Sequence, residues 1–185
     1  MGLRSLFSFV ETPTRLRLAP TLTCLLMLVG CRSHSTDAEL QRWFLLHSSE
    51  FEELATVSRS DSVVTVQPHR LTIEVRPGRL QTFNVRSDSD LPLVVSSERW
   101  RRYQDLLAVL RVHTVYRDKR DVMFQIDEPG FLNGDSQKGI LYSRMERSSR
   151  SSLDGLTATE LKSSSCEATK KIRENWYLYL DYSCD

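Results

Sequence analysis

A chain of 185 residues has room for one domain and no length for a second sizeable core. With 40% hydrophobic and 26% charged residues and few Gly or Pro, it reads as globular rather than disordered. The formal charge is +1. Arg4, Arg15 and Arg17 against Glu11 give the first 30 residues +2, so the rest carries −1, which removes any electrostatic reason to expect nucleic acid as a partner.

The first element is an export signal. Arg15 and Arg17 form a positive flank, Leu18 to Val29 is an apolar run interrupted only by Pro20, Thr21 and Thr23, and small Gly30 precedes Cys31. The run is shorter than the roughly 20 apolar residues of a membrane-spanning helix. Leu28-Val29-Gly30-Cys31 resembles the lipobox of bacterial lipoproteins. That resemblance implies diacylglycerol on the Cys31 thiol, cleavage before Cys31 and acylation of the new amino group, so membrane lipid is the first expected partner. Glu11 and the long stretch before Arg15 depart from the pattern and point to a start downstream of Met1. Arg32 is not the Asp that retains such proteins in the inner membrane of enteric bacteria, so the resemblance implies an outer-membrane anchor facing the periplasm. The tether Arg32 to Ser35 spans only about 13 Å, which holds the folded body close to the bilayer.

Beyond the tether, Thr36-Asp37-Ala38-Glu39 has the form of a capping box. Leu40, Trp43, Phe44, His47, Phe51 and Leu54 follow at helical spacing on one face, with Glu50, Glu52 and Glu53 on the other. This pattern predicts an amphipathic helix of about five turns, closed by the polar stretch Ser58 to Ser62. Three strand-like runs follow at Val63 to Gln67, Leu71 to Arg76 and Leu80 to Val85, punctuated by Pro68 and Pro77-Gly78 as in a meander. Ser87 to Asp90 reads as a loop. A second helix opens at Ser96 or Ser97, its stripe being Trp100, Tyr103, Leu107 and Leu110. Val112 to Arg117 and Val122 to Ile126 flank a charged turn and read as a hairpin.

A turn at Gly130 to Gly134 leads to a strand at Gly139 to Ser143. The serine-rich stretch from Ser143 to Ser165, with one apolar island at Leu153 to Leu156, reads as a long surface loop. Trp176 to Tyr182 reads as a well-buried strand. The expected architecture is α+β: a mostly antiparallel sheet of five to seven strands with two amphipathic helices on one face. The expected division is a signal peptide over 1–30, a lipidated tether over 31–35 and a single domain over 36–185.

Cys24 leaves with the signal and Cys31 takes the lipid. Cys166 and Cys184 remain as an even pair, and an oxidising compartment favours a disulfide between them over two free, buried thiols. Their spacing is unlike the paired cysteines of zinc sites, and no metal or other cofactor is expected.

The residue types that could carry chemistry fall short of a constellation. Gly134-Asp135-Ser136 matches the nucleophile motif of some serine esterases, but it lies late in the chain and no histidine follows His113 to act as base. Gly134 and Gly139 with Lys138 resemble part of a phosphate loop, yet the Gly-Lys-Ser/Thr order is missing. His34, His47, His69 and His113 form no ligand-spaced pair, and His47 on the apolar helix face reads as a core residue. Asp88 and Asp90 read as a solvated turn rather than a cation site. Glu98-Arg99-Trp100-Arg101-Arg102 reads as the solvent face of the second helix, with anionic lipid heads as the alternative.

Lys138-Gly139-Ile140-Leu141-Tyr142-Ser143, Ser152-Leu153-Asp154 and Asn175-Trp176-Tyr177-Leu178-Tyr179 resemble blocks in small, uncharacterised lipoproteins of Gram-negative bacteria, over most of the body from Thr36 onward. The expected function is a membrane-anchored, non-enzymatic binding or interaction domain with an envelope protein as partner, immunity or inhibition being one form of it. The alternatives are an envelope hydrolase with an unrecognised site and a structural component of an envelope assembly.

Overall fold

The protein is described from a computed structural model, over residues 35–61, 63–126, 136–156, 160 and 166–182. The chain divides between residues 33 and 34, and every described residue belongs to the second part. The fold is α+β as expected. It holds one antiparallel sheet of eight strands, and three helices among the described residues rather than two.

Helix α1 (Asp37–Leu46) starts at the expected capping box: Thr36 Oγ1 accepts the Glu39 N–H, and Glu39 accepts the Thr36 N–H at 2.9 Å. The expected single long helix is interrupted at His47 (φ −117, ψ 29), and α2 (Ser48–Ser60) follows. The interruption costs little, because His47 N–H still reaches the Trp43 carbonyl and its own carbonyl accepts the Phe51 N–H, both at 3.1 Å. The apolar stripe passes through the bend, and Phe44 and Phe51 both pack on Trp176, with ring centroids 4.9 and 6.3 Å away. Helix α3 (Ser97–Leu110) is capped by Ser96, whose hydroxyl accepts the Arg99 N–H.

The strands are β1 (Val63–Gln67), β2 (Arg70–Arg76), β3 (Arg79–Asn84), β4 (Thr114–Arg117), β5 (Asp121–Gln125), β6 (Ser136–Ser143), β7 (Glu167–Arg173) and β8 (Trp176–Tyr182). Their order across the sheet is β3-β2-β1-β4-β5-β6-β8-β7. A bulge between Val63 and Thr65 lets Val63 and Val66, three positions apart, both face the core. Pro77-Gly78 joins β2 to β3, with Gly78 at φ 75 as that turn demands. Glu174-Asn175 joins β7 to β8 as a two-residue turn with Asn175 at φ 62.

The helices cover one face. Val66, Leu71, Val115, Phe124, Ile140 and Leu178 point up into Phe44, Phe51, Leu54, Tyr103 and Leu110 as a single apolar cluster. The opposite face carries a smaller cluster of Leu141, Tyr177 and Tyr179 with Met123 beside it. Strand β8, which pairs with neighbours on both sides, is buried on both faces, which accounts for its unbroken aromatic and apolar run.

The stretch after β6 differs from the expected surface loop. Arg147 crosses the second face, pairing with Asp121 and with Glu167 (3.4 Å). Leu153 is 1% exposed and belongs to the main core, so the apolar island anchors this segment rather than floating on it. Strand β7 was not expected at all. The turn expected at Gly130 to Gly134 lies outside the described residues, as do residues 157–159 and 161–165 of the serine-rich stretch.

Candidate functional site

Two arrangements of polar side chains stand out, one structural and one open to solvent. The first lies at the start of the folded body. Asp37 and Lys138 are 2% exposed each, and Lys138 Nζ reaches Asp37 Oδ1 at 3.0 Å, Asp154 Oδ1 at 2.7 Å and the Ser35 carbonyl at 2.9 Å. Asp37 Oδ2 accepts the Leu153 N–H at 2.8 Å and lies 3.1 Å from Lys170 Nζ, while the Asp37 N–H donates back to Asp154 at 2.9 Å. Burial pushes the Asp37 carboxyl up, but the Leu153 N–H and the ammonium groups of Lys138 and Lys170 outweigh it and hold the group down at about 2, against an ordinary 3.8. This cluster ties the first residues of the body to β6, β7 and the 152–154 segment. Its ion pairs and hydrogen bonds hold the start of α1 against the sheet and the 152–154 segment.

The second is a cleft of about 460 Å³ lined by the outer half of α2, Tyr142 of β6 and the β7–β8 turn. Two guanidinium groups line it. Arg59 lies over the Tyr142 ring at 4.5 Å and donates to Tyr142 Oη at 3.0 Å and to the Ala55 carbonyl at 3.1 Å. Arg173 lies over Phe44 at 5.0 Å and over Trp176 at 6.0 Å, and pairs with Glu52. Both cations thus lie over aromatic rings. They differ in one respect: Arg173 has a carboxylate partner, whereas the acceptors of the half-buried Arg59 among the described residues are all neutral, with Thr56 Oγ1 as the third. A guanidinium that donates to a phenol, a hydroxyl and a carbonyl is able to take a planar anion such as a carboxylate.

The sequence-selected residues are placed as follows. Leu28, Val29, Gly30, Cys31, His34 and Cys184 lie outside the described residues, and Cys166 stands just before β7 at φ 61. Gly134 and Asp135 also lie outside them. Ser136 is 3% exposed at the start of β6, so it is not presented as a nucleophile. Lys138 and Gly139 sit in the middle of β6, not in a phosphate-binding loop. His47 packs on Trp43 with ring centroids 3.9 Å apart. Asp90 accepts the Arg86 and Ser87 N–H groups at 2.9 Å each, and Asp88 pairs with Arg101 at 2.9 Å.

Arg99, Arg101 and Arg102 pair with Asp61, Asp88 and Glu53, while Trp100 between them is 7% exposed and faces the core. His69 and His113, 44 positions apart in the chain, come together in the lining of a second cleft of about 720 Å³. Among the described residues no group of three or more His, Cys, Asp or Glu is placed to hold a metal ion, and no helix is long and apolar enough to cross a membrane.

Sequence reasoning missed the cleft because Arg59, Tyr142 and Arg173 come from three distant segments with no shared spacing. Two more carboxyls are held below their ordinary range: the Ser49 hydroxyl lowers Glu50, and the Arg86 and Ser87 N–H groups lower Asp90. Compared with known protein families, with characterised proteins and with solved structures, the chain has no match.

Proposed function

We propose that the mature chain is a lipid-anchored envelope lipoprotein whose task is to hold a non-enzymatic binding domain close to the membrane. The single observation that carries the binding reading is Arg59: a guanidinium over the Tyr142 ring in the lining of a cleft, with only neutral acceptors among the described residues. On this reading a carboxylate-bearing side chain or chain end of an envelope protein seats against Arg59, with Trp176 as the apolar wall. Immunity to a toxin or inhibition of an enzyme is one form such binding takes.

The anchor reading rests on Leu28-Val29-Gly30-Cys31, and the buried cluster at Asp37 is consistent with it, because the body is pinned within a few residues of Cys31. The outer membrane, facing the periplasm, is the proposed location. In that compartment a disulfide between Cys166 and Cys184 is proposed as well. Its support is the β7–β8 register: Glu167, next to Cys166, pairs with Asp181, three positions before Cys184 in the sequence.

The test places a photo-crosslinking amino acid at Thr56, an exposed position in the cleft lining, in cells that make the full chain. A discrete envelope protein should crosslink, and the product should fall at least tenfold in an Arg59→Ala background. It should also be confined to the membrane fraction and lost to the soluble one with Cys31→Ala. An Arg59-independent crosslink would sink the cleft reading, and a Cys31-independent membrane fraction would sink the anchor.

A further inference from the structure

The two edges of the sheet are β7 and β3, and the chain treats them differently. Along β7 runs the segment that follows β6: Arg150 N–H donates to the Thr169 carbonyl at 2.8 Å, Lys171 N–H donates to Ser149 Oγ at 2.8 Å, and the Thr169 hydroxyl donates to the Ser148 carbonyl. That edge is closed. Along β3 no such cover exists among the described residues, and every residue of the strand is exposed except half-buried Phe83.

The register identifies the open backbone groups. Val85 N–H donates to the His69 carbonyl at 3.0 Å and Asn84 stands opposite Arg70, so Val85 and His69 form a bonded pair. Bonded and non-bonded pairs alternate along an antiparallel ladder. Gln81 and Phe83 therefore bond to β2, while Leu80, Thr82 and Asn84 turn N–H and C=O away from it. The 3.0 Å contact between the Thr72 and Thr82 hydroxyls fits, since side chains come closest in non-bonded pairs. Natural edges are usually blunted by proline or charged side chains, and β3 carries no proline and a single charge, Arg79, at its first position.

Charge selects the occupant. The β2–β3 hairpin carries Arg70, Arg76 and Arg79, with Arg86 just beyond it, against Glu74, whose carboxylate is taken by the Gly78 N–H at 2.8 Å. None of the four arginines makes an ion pair within the described residues. A second copy of the chain would set these arginines against their own kind, whereas an acidic segment would be complementary. Asn84, the last outward-facing residue, lines the second cleft, where Arg70 can receive an acidic side chain at the end of the strand.

We infer that β3 is a docking edge for an extended, acidic segment of a protein partner, which adds as a ninth strand. This surface is separate from the Arg59 cleft and independent of the anchor, so either can fail while the other stands. The experiment uses the full chain in detergent, with a capped ten-residue peptide of alternating Glu and Val as probe and its Lys-Val counterpart as control. Amide exchange followed by NMR should slow at least tenfold at Leu80, Thr82 and Asn84 with the Glu-Val peptide, and not with the Lys-Val peptide. Thr82→Pro removes an outward N–H and should abolish the effect. Arg79→Glu with Arg86→Glu, which leaves the backbone intact, should weaken Glu-Val binding at least tenfold. No slowing, or equal slowing by both peptides, overturns the inference. So does protection of the same amides in a dimer without peptide, which would make a second copy the occupant.

Discussion

Asp37 shows how one residue converts a helix start into an attachment point. It follows the cap residue Thr36, and an acidic side chain there already suits the positive end of α1. Its carboxylate does more, turning inward to meet Lys138, Lys170 and the Leu153 N–H. A carboxyl whose folded pKa is lowered stabilises the fold at pH values above its unfolded pKa, and that contribution is lost as pH falls through the folded value. A shift from 3.8 to about 2 corresponds to about 2 kcal/mol, fully present at pH 7 and withdrawn between roughly pH 5 and 2. Urea unfolding of the wild type and of Asp37→Asn should therefore show a stability gap at pH 7 that narrows by about 2 kcal/mol at pH 2. A gap of constant size across that range would mean that Asp37 contributes by packing and not by charge. Sequence reasoning saw the cap and missed the charge, because Lys138 and Lys170 are over a hundred positions away and nothing local announces them.

Among the elements, β6 has the tightest constraint. A Cβ placed on Gly139 would lie 2.1 Å from the Phe124 carbonyl oxygen and 3.0 Å from Tyr179 Cε1, and the first of these is backbone that cannot swing aside. Gly139→Ala should push β5 and β6 apart at the Gln125–Gly139 pair and cost about 2 kcal/mol, read as a lower urea midpoint with an unchanged slope. Wild-type stability in the variant would show that the strands part without penalty. The same glycine, read in sequence with Gly134 and Lys138, resembled part of a phosphate loop; the close approach of β5 and β8 is what it serves.

Elements with a strong period were legible: α3 with its buried Trp100, Tyr103, Leu107 and Leu110, and β1, β2, β4 and β5 to within a few residues. Strand β7 was not legible, because Glu-Ala-Thr-Lys-Lys-Ile-Arg offers only Ala168 and Ile172 as apolar residues on its core side. An edge strand covered by its own chain needs few apolar residues, so the alternation that marks interior strands is faint there. The bend at His47 was equally hidden, since the stripe of Leu40, Phe44, Phe51 and Leu54 is continuous through it.

At the scale of the whole molecule, the helical layer buries one face and the 143–156 segment serves the other, crossing by Arg147 and returning its apolar Leu153 to the main core. What holds β7 in place is then partly borrowed: its inner side pairs with β8, and its outer side depends on this segment. A bridge between Cys166 and Cys184 would remove the freedom of that edge in the unfolded chain. Closing 17 intervening residues contributes on the order of 3 kcal/mol in the chain-entropy model. For a body of this size that amounts to a fall in Tm of about 10 °C on adding reductant, and Cys184→Ser should sit at the reduced value with or without it. Peptide mapping without reduction should find residues 166 and 184 in one linked pair. Alkylation of both thiols in the unreduced protein would leave the edge to the 148–150 contacts alone, and would take away one support for an oxidising compartment. The lipobox argument would then have to carry the location by itself.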